Sequence, residues 1–258
     1  MIDTDWVDVT VARKWSEAMG IAGFELIAAD GGLLPAFDAG SYVDVLTPGD
    51  LLRPYSLCNA PTERHRYVIA VLREPYGRGG SIALHDCVRQ GDRLRVRAPR
   101  NEFVLHTGAV YSVLLAGGIG VTPLLAMAES LWRRGAGFEL HYSARNAARA
   151  AFAHGLRTRP HAPRVNFHWS EMHGRMEFDR LLKRVPPSSH LYLCGPAAFI
   201  DSALAAATRL GWAAERMHFE SLKPGLDLRF DPTLGASAAF LPASTRGRSR
   251  SPATAARV

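Results

Sequence analysis

Residues 113–125 read Val-Leu-Leu-Ala-Gly-Gly-Ile-Gly-Val-Thr-Pro-Leu-Leu, and no other stretch constrains the fold as much. A short apolar run ending at Ala116 has the pattern of a parallel strand buried on both faces. Gly117, Gly118 and Gly120 permit a tight turn and a close approach to a ligand. Thr122 is expected to cap a helix that Pro123 opens, and Leu124, Leu125, Met127, Ala128 and Leu131 continue it at helical spacing. Strand, glycine turn and helix start together aim free amides at a phosphate. The spacing departs from the Rossmann fingerprint, because Pro123 stands where a third glycine would be. Taken alone, the stretch therefore also fits an ordinary strand-to-helix turn.

The same alternation of strand and helix runs on to residue 220. Strands are expected at 138–143, 165–169, 190–194 and 216–220, with helices over 147–158, 178–185 and 196–210. This pattern implies a five-stranded parallel, doubly wound sheet. Ligands bind such sheets beyond the carboxyl ends of the strands, where Gly117, Ser143, Cys194 and Glu220 fall. Cys194-Gly195-Pro196 repeats the logic of the first glycine turn. Cys194 reads either as a group beside a bound ring or as a small core residue. Arg145 reads either as a ribose or phosphate contact or as a surface arginine.

The first hundred residues differ in kind. Six short runs, at 6–13, 21–28, 42–46, 54–57, 67–72 and 93–97, alternate or are continuously apolar between turn residues. They predict a six-stranded antiparallel barrel. In Arg53-Pro54-Tyr55-Ser56-Leu57, alternation points Arg53 and Tyr55 to one face, as a phosphate partner and a stacking ring or as an edge strand's ordinary surface. Gly77-Arg78-Gly79-Gly80-Ser81 precedes a short helix that Ser81 is expected to cap, a second backbone setting for a phosphate or a plain hairpin loop.

Composition narrows the function classes. The apolar and charged contents, 47% and 21%, are those of a soluble globular protein, and 258 residues suffice for two domains. No apolar run nears the ~20 residues of a spanning helix. The acidic, strand-like N-terminus does not read as a signal peptide, so no membrane association and a cytoplasmic location are expected. Cys58, Cys87 and Cys194 lack metal-ligand spacing, so no metal site is expected. Of the net charge of +7, residues 223–258 hold +4 (six Lys/Arg, two Asp), leaving +3 on the other 222 residues. That distribution argues against nucleic acid.

Taken in order, Arg53-x-Tyr55-Ser56-Leu57, Gly77-Arg78-Gly79-Gly80-Ser81, Ala116-Gly117-Gly118-Ile119-Gly120-Val121-Thr122-Pro123, Cys194-Gly195-Pro196 and His218-Phe219-Glu220-Ser221 resemble the ferredoxin-reductase superfamily. Within it they resemble the phthalate dioxygenase reductase and vanillate O-demethylase reductase group. The resemblance implies a flavin-binding barrel over 1–106 and an NAD(P)-binding domain over 107–222. Arg53, Tyr55, Ser56, Leu57, Gly79, Gly80 and Ser81 would line the flavin, FMN rather than FAD. Gly117, Gly118, Gly120, Thr122 and Pro123 would approach the nucleotide pyrophosphate. Cys194, Gly195 and Pro196 would sit near the nicotinamide, and Phe219 and Glu220 would face the flavin. Tyr55, Ser56, Cys194 and Glu220 form the implied catalytic set. NADH is the implied donor, with NADPH left open by Ser143 and Arg145. The implied activity is hydride transfer onto the flavin and single-electron delivery to a Rieske-type oxygenase or a separate ferredoxin. The group's C-terminal ferredoxin domain needs four cysteines, and none follows Cys194. Residues 223–258 are thus expected to be a basic, disordered tail without an iron–sulfur cluster, the ferredoxin part lost by truncation or a shifted reading frame. An idle nucleotide-binding remnant and a free flavin or ferric reductase are the competing readings.

Overall fold

The structure is a computed structural model and describes residues 5–186 and 188–221, so the expected tail lies outside the described residues. Strands β1 (Trp6–Ala18), β2 (Ile21–Ala28), β3 (Tyr42–Thr47), β4 (Leu51–Ser56), β5 (Tyr67–Leu72) and β6 (Arg93–Arg97) form an antiparallel sheet, ordered β4-β3-β6-β1-β2-β5. β1 outruns its sequence pattern because it serves two neighbours, β6 through 6–10 and β2 through 9–18. Register shifts between Val11 and Arg13 and between Ser16 and Ala18 bend it. The sheet curls until the Cys58 N–H, just past β4, donates to the Val68 carbonyl on β5 at 2.8 Å. Val9, Val11, Phe24, Leu26, Val43 and Val45 fill the interior, and Leu84 of helix α1 (Gly80–Asp86) packs with them. Lys14 holds the far end of α1, its ammonium donating to the carbonyls of Leu84, His85 and Val88.

The second sheet contains β7 (Tyr111–Gly117), β8 (Gly137–Ala144), β9 (Val165–Trp169), β10 (His190–Gly195) and β11 (Met217–Ser221), ordered β11-β10-β7-β8-β9 and parallel throughout. Helices α2 (Val121–Arg133), α3 (Ala153–Thr158), α4 (Ser170–His173), α5 (Phe178–Leu182) and α6 (Ala197–Arg209) connect them. Alternation sorts the central strands between two cores. Leu114, Ala116, Tyr192 and Cys194 join α2 on one face, while Val113, Leu115, Leu191 and Leu193 join α5 and α6 on the other. The α2-side core also takes in Ile21, Ala39, Cys58, Val68, Ala70, Phe103 and Leu105, so barrel and parallel sheet share buried surface.

One expected helix is broken. Over 147–158 the chain makes a 3₁₀ turn at Ala147–Arg149 and only then α3. Phe152 between them is left-handed, at φ 59°, and its N–H donates to Glu17 Oε1 on β1 at 2.6 Å. The Met19 N–H donates to the Ala148 carbonyl at 2.8 Å. Two bonds to the barrel hairpin override local helix propensity.

Candidate functional site

β4 carries the first part of the site. Its pairing sets Val43 opposite Tyr55 and Val45 opposite Arg53, so Arg53 and Tyr55 share the face of the barrel interior, as alternation requires. Tyr55 packs on that core, and burial pushes its phenol well above the usual range. Ser56 points the other way, opposite Tyr42. Leu57 is fully buried in the barrel core and gives its N–H to the Ser41 carbonyl, so its side chain lines the core.

The glycine loop meets Arg53 directly. A Cβ on Gly80 would stand 2.9 Å from Arg53 Cγ, so only glycine lets the arginine lie across the start of α1. Gly79, at φ 92°, is the N-cap, with open space where a Cβ would be. This corrects the expected role of Ser81, whose hydroxyl instead accepts the Glu74 N–H at 3.1 Å and closes the loop. A left-handed glycine is the better terminator here because the chain reverses sharply into the helix.

The glycine turn after β7 is more compact than expected. Gly118–Gly120 forms a 3₁₀ turn, Gly120 is the N-cap of α2, and no side chain caps that helix. Thr122 and Pro123 therefore lie within the first turn, and the Thr122 hydroxyl donates back to the Ile119 carbonyl at 3.0 Å. Gly118, at φ 57°, faces open space. The neighbouring turn interlocks with it: a Cβ on Gly195 would stand 2.9 Å from Gly117 Cα, and Pro196 is the N-cap of α6 rather than its first residue. Ser143 ends β8 opposite Gly117. Arg145 is exposed and pairs with Glu171 at 2.8 Å, which also accepts from Asn146.

Cys194 and Glu220 are cross-strand partners on β10 and β11, with the thiol 3.9 Å from Glu220 Oε2. Burial pushes the Cys194 thiol well up, helped by the Glu220 charge, so it stays a thiol at neutral pH. Burial also raises the Glu220 carboxyl to about 7, with the Glu102 charge adding to the effect. Strand alternation corrects the pairing of Phe219 with Glu220. Phe219 sits opposite Leu193, on the face that α5 and α6 cover, and is 55% exposed. Glu220 alone of the two faces the junction with the barrel.

The chain is 46% identical over 215 residues to vanillate O-demethylase oxidoreductase of Pseudomonas putida, covering 83% of this chain and 68% of that protein. The solved structure of phthalate dioxygenase reductase, described as modular for electron transfer from pyridine nucleotides to [2Fe-2S], superposes with a TM-score of 0.81 at 37% identity, covering 85% of this chain and 68% of that one. The chain belongs to the phthalate dioxygenase reductase family. The flavohem-like FAD/NAD-binding domain of nitric oxide dioxygenase from Vibrio cholerae matches with a TM-score of 0.75 at 26% identity, covering 85% of this chain and all of that one. No family model matches the chain.

As a phthalate dioxygenase reductase family member, the chain is a flavin- and pyridine-nucleotide-dependent electron-transfer oxidoreductase. Its residues fit both groups. Gly79 leaves open space beside Arg53, which lies across Gly80, and Gly118 leaves open space at the uncapped start of α2, where Gly117 and Gly120 let the turn close against the 194–199 segment. Two open depressions of about 720 Å³ lie elsewhere, one by α5 and α6 and one between the β1–β2 hairpin and α1. Neither touches Arg53, Tyr55, Cys194 or Glu220. Among the described residues no cluster of three or more His, Cys, Asp or Glu is placed to hold a metal, and no helix is long and apolar enough to cross a membrane.

Sequence reasoning missed the groups that join the two halves. The Tyr42 hydroxyl donates to Glu102 Oε1 at 3.0 Å, and Glu102 is the charge that acts on Glu220. Below them, His218 stacks on Tyr192 at 4.8 Å and on His106 at 4.6 Å, and burial lowers it to about 4. His218 lies in the His218-Phe219-Glu220-Ser221 motif, but no motif announces Tyr42, Glu102, His106 or Tyr192, because they become neighbours only after the segment 100–106 has crossed the sheet.

Proposed function

We propose that the chain takes hydride from NADH onto FMN and delivers electrons singly to an iron–sulfur protein, either a Rieske-type oxygenase or a separate ferredoxin. A bound flavin supplies the conversion of a two-electron donor into one-electron output. In this reading residues 1–106 hold the flavin and 107–222 the nucleotide. Arg53 pairs with the phosphate over Gly79 and Gly80, Tyr55 offers its ring face, and Ser56 donates a hydrogen bond. Gly118 and Gly120 let the pyrophosphate approach the backbone amides of α2. Cys194 and Gly195 seat the nicotinamide, and the water-poor junction keeps the transferred hydrogen from solvent.

The observation that supports this most is that the barrel and the parallel sheet share one buried surface between the two cradles. Ser56 lies opposite Tyr42, Tyr42 bonds to Glu102, the Glu102 charge reaches Glu220, and Glu220 meets Cys194. FMN is preferred because Arg53 and the short glycine loop suit one phosphate. NADH is preferred because Arg145, the residue that could meet a second ribose phosphate, is already paired with Glu171.

An anaerobic NADH titration of the purified protein, followed by release and identification of the flavin, tests the reading. Bleaching of a yellow protein that releases FMN is expected. Failure to take up any flavin after reconstitution rejects the proposal, and release of FAD rejects its cofactor assignment.

A further inference from the structure

Hydrogen bonds tie the β1–β2 hairpin of the barrel to the segment that leaves β8. The Phe152 N–H donates to Glu17 Oε1 at 2.6 Å, and the Met19 N–H donates to the Ala148 carbonyl at 2.8 Å. The other carboxylate oxygen of Glu17 accepts the Trp15 indole N–H at 2.5 Å, so both oxygens are engaged. The indole is itself seated. Trp15 stands opposite Gly23 on β2, where a Cβ would collide with the ring, and the Arg13 guanidinium lies 4.9 Å from the ring centre. Trp15 and Phe152 both pack against the core that barrel and parallel sheet share. Phe152 is left-handed, a costly conformation for phenylalanine that persists only where the surroundings impose it. The same stretch of chain begins with Ser143 and Arg145 at the carboxyl end of the parallel sheet, where Ser143 stands opposite Gly117 and Glu171 engages Arg145 and Asn146.

We propose that Glu17 is a positioning residue for hydride transfer, its carboxylate fixing the nucleotide-binding half against the barrel by clamping the 147–152 segment. The inference rests on the reading above, in which each half holds one cofactor, and adds the device that keeps the two rings in register. Apolar burial draws the halves together, but it is non-directional and tolerates sliding of one face over the other. Hydrogen bonds are directional and fix a register. A carboxylate suits this corner because it accepts from both N–H groups. A glutamine amide accepts at one atom only and turns its NH₂ toward the other donor. The hydride, a proton with two electrons, oxidises NADH to NAD⁺ and reduces the flavin, and its transfer slows steeply with a small misplacement of donor and acceptor. Glu17 reaches that step through Phe152 and the segment behind it.

The isosteric change Glu17→Gln carries the test, with one readout that needs no turnover. Spin labels on the exposed Cys87, at the end of α1, and on Asp201→Cys, on the exposed side of α6, report the separation of the halves, while the buried Cys58 and Cys194 stay unlabelled. The distribution of label distances is expected to broaden about twofold in Glu17→Gln. In the flavin-loaded protein NADH should reduce the flavin roughly tenfold more slowly, while flavin affinity, NAD⁺ affinity and reoxidation of dithionite-reduced flavin by ferricyanide stay within about twofold. Glu17→Gln combined with Trp15→Phe removes the facing donor, lets the amide carbonyl take the Phe152 N–H, and should recover most of both losses. An unbroadened distribution, an unslowed hydride step or no recovery in the double variant overturns the inference. So does slowing matched by an equal loss of NAD⁺ affinity, which would make Glu17 a support of the nucleotide pocket alone. Parent protein that binds flavin and is not reduced by NADH overturns the function on which the inference rests, and the inference with it.

Discussion

A Cβ on Gly120 would stand 2.2 Å from the carbonyl oxygen of Cys194, so the turn after β7 closes against the backbone at the end of β10. Neither partner is a flexible side chain, and neither can move without breaking a strand register. Gly120→Ala is therefore expected to destabilise the fold by about 3 kcal/mol or more and to abolish nucleotide binding. Gly155, inside α3 with open space around it, is the matched control, and Gly155→Ala should stabilise by up to about 1 kcal/mol. Thermal unfolding of both variants checks the pair.

Arg53 lies across Gly80 at the start of α1, in the antiparallel domain rather than beside the turn at Gly118. Arg53→Ala should weaken flavin binding by about 2 kcal/mol, some thirtyfold, with NAD⁺ affinity nearly unchanged. Flavin release followed by fluorescence, alongside an NAD⁺ titration, separates the two. Equal losses would remove the phosphate role assigned to Arg53.

Glu220 gives stability a pH dependence of definite sign. Its carboxyl is raised in the folded chain to about 7, against 4.5 for an ordinary glutamate. Between those values the folded state binds more protons than the unfolded state. The contribution is thus fully present below about 4.5 and is lost as pH rises to about 7. It amounts to about 2–3 kcal/mol after allowance for partial solvent access. Urea midpoints at pH 5 and 8 should converge in Glu220→Gln relative to the parent, chiefly by a gain at pH 8.

Glu171 bears on the choice of nucleotide. It engages both Arg145 and Asn146. Glu171→Gln should release Arg145 and remove a repulsive charge, lowering the NADH-over-NADPH preference in kcat/KM by roughly three- to tenfold. An unchanged preference would place the ribose elsewhere.

Much of this molecule is legible before folding. β2, β5, β6 and β9 occupy the residues their patterns mark, or nearly so, because each is a short run between turn residues and its pairing adds nothing to its length. The glycine turns are equally plain, since backbone freedom is written in the residue itself. The caps were less legible. Thr122 and Ser81 are good caps by type, but Gly120 and Gly79 take those positions because both chains enter the helix by a turn that only glycine makes well.

The amino-acid sequence alone determined that an antiparallel barrel precedes a parallel, doubly wound sheet, and where the two glycine-rich turns fall. Hydrophobic period and glycine position are local quantities, and both survive in one dimension. Only the tertiary structure decided that residues 147–152 leave helix to clasp the barrel hairpin and that the Tyr42 hydroxyl donates to Glu102. The contacts among them join residues 60 to 135 positions apart. They exist because one buried surface is shared between the two sheets, and no pattern along the chain records which side chains that surface brings together.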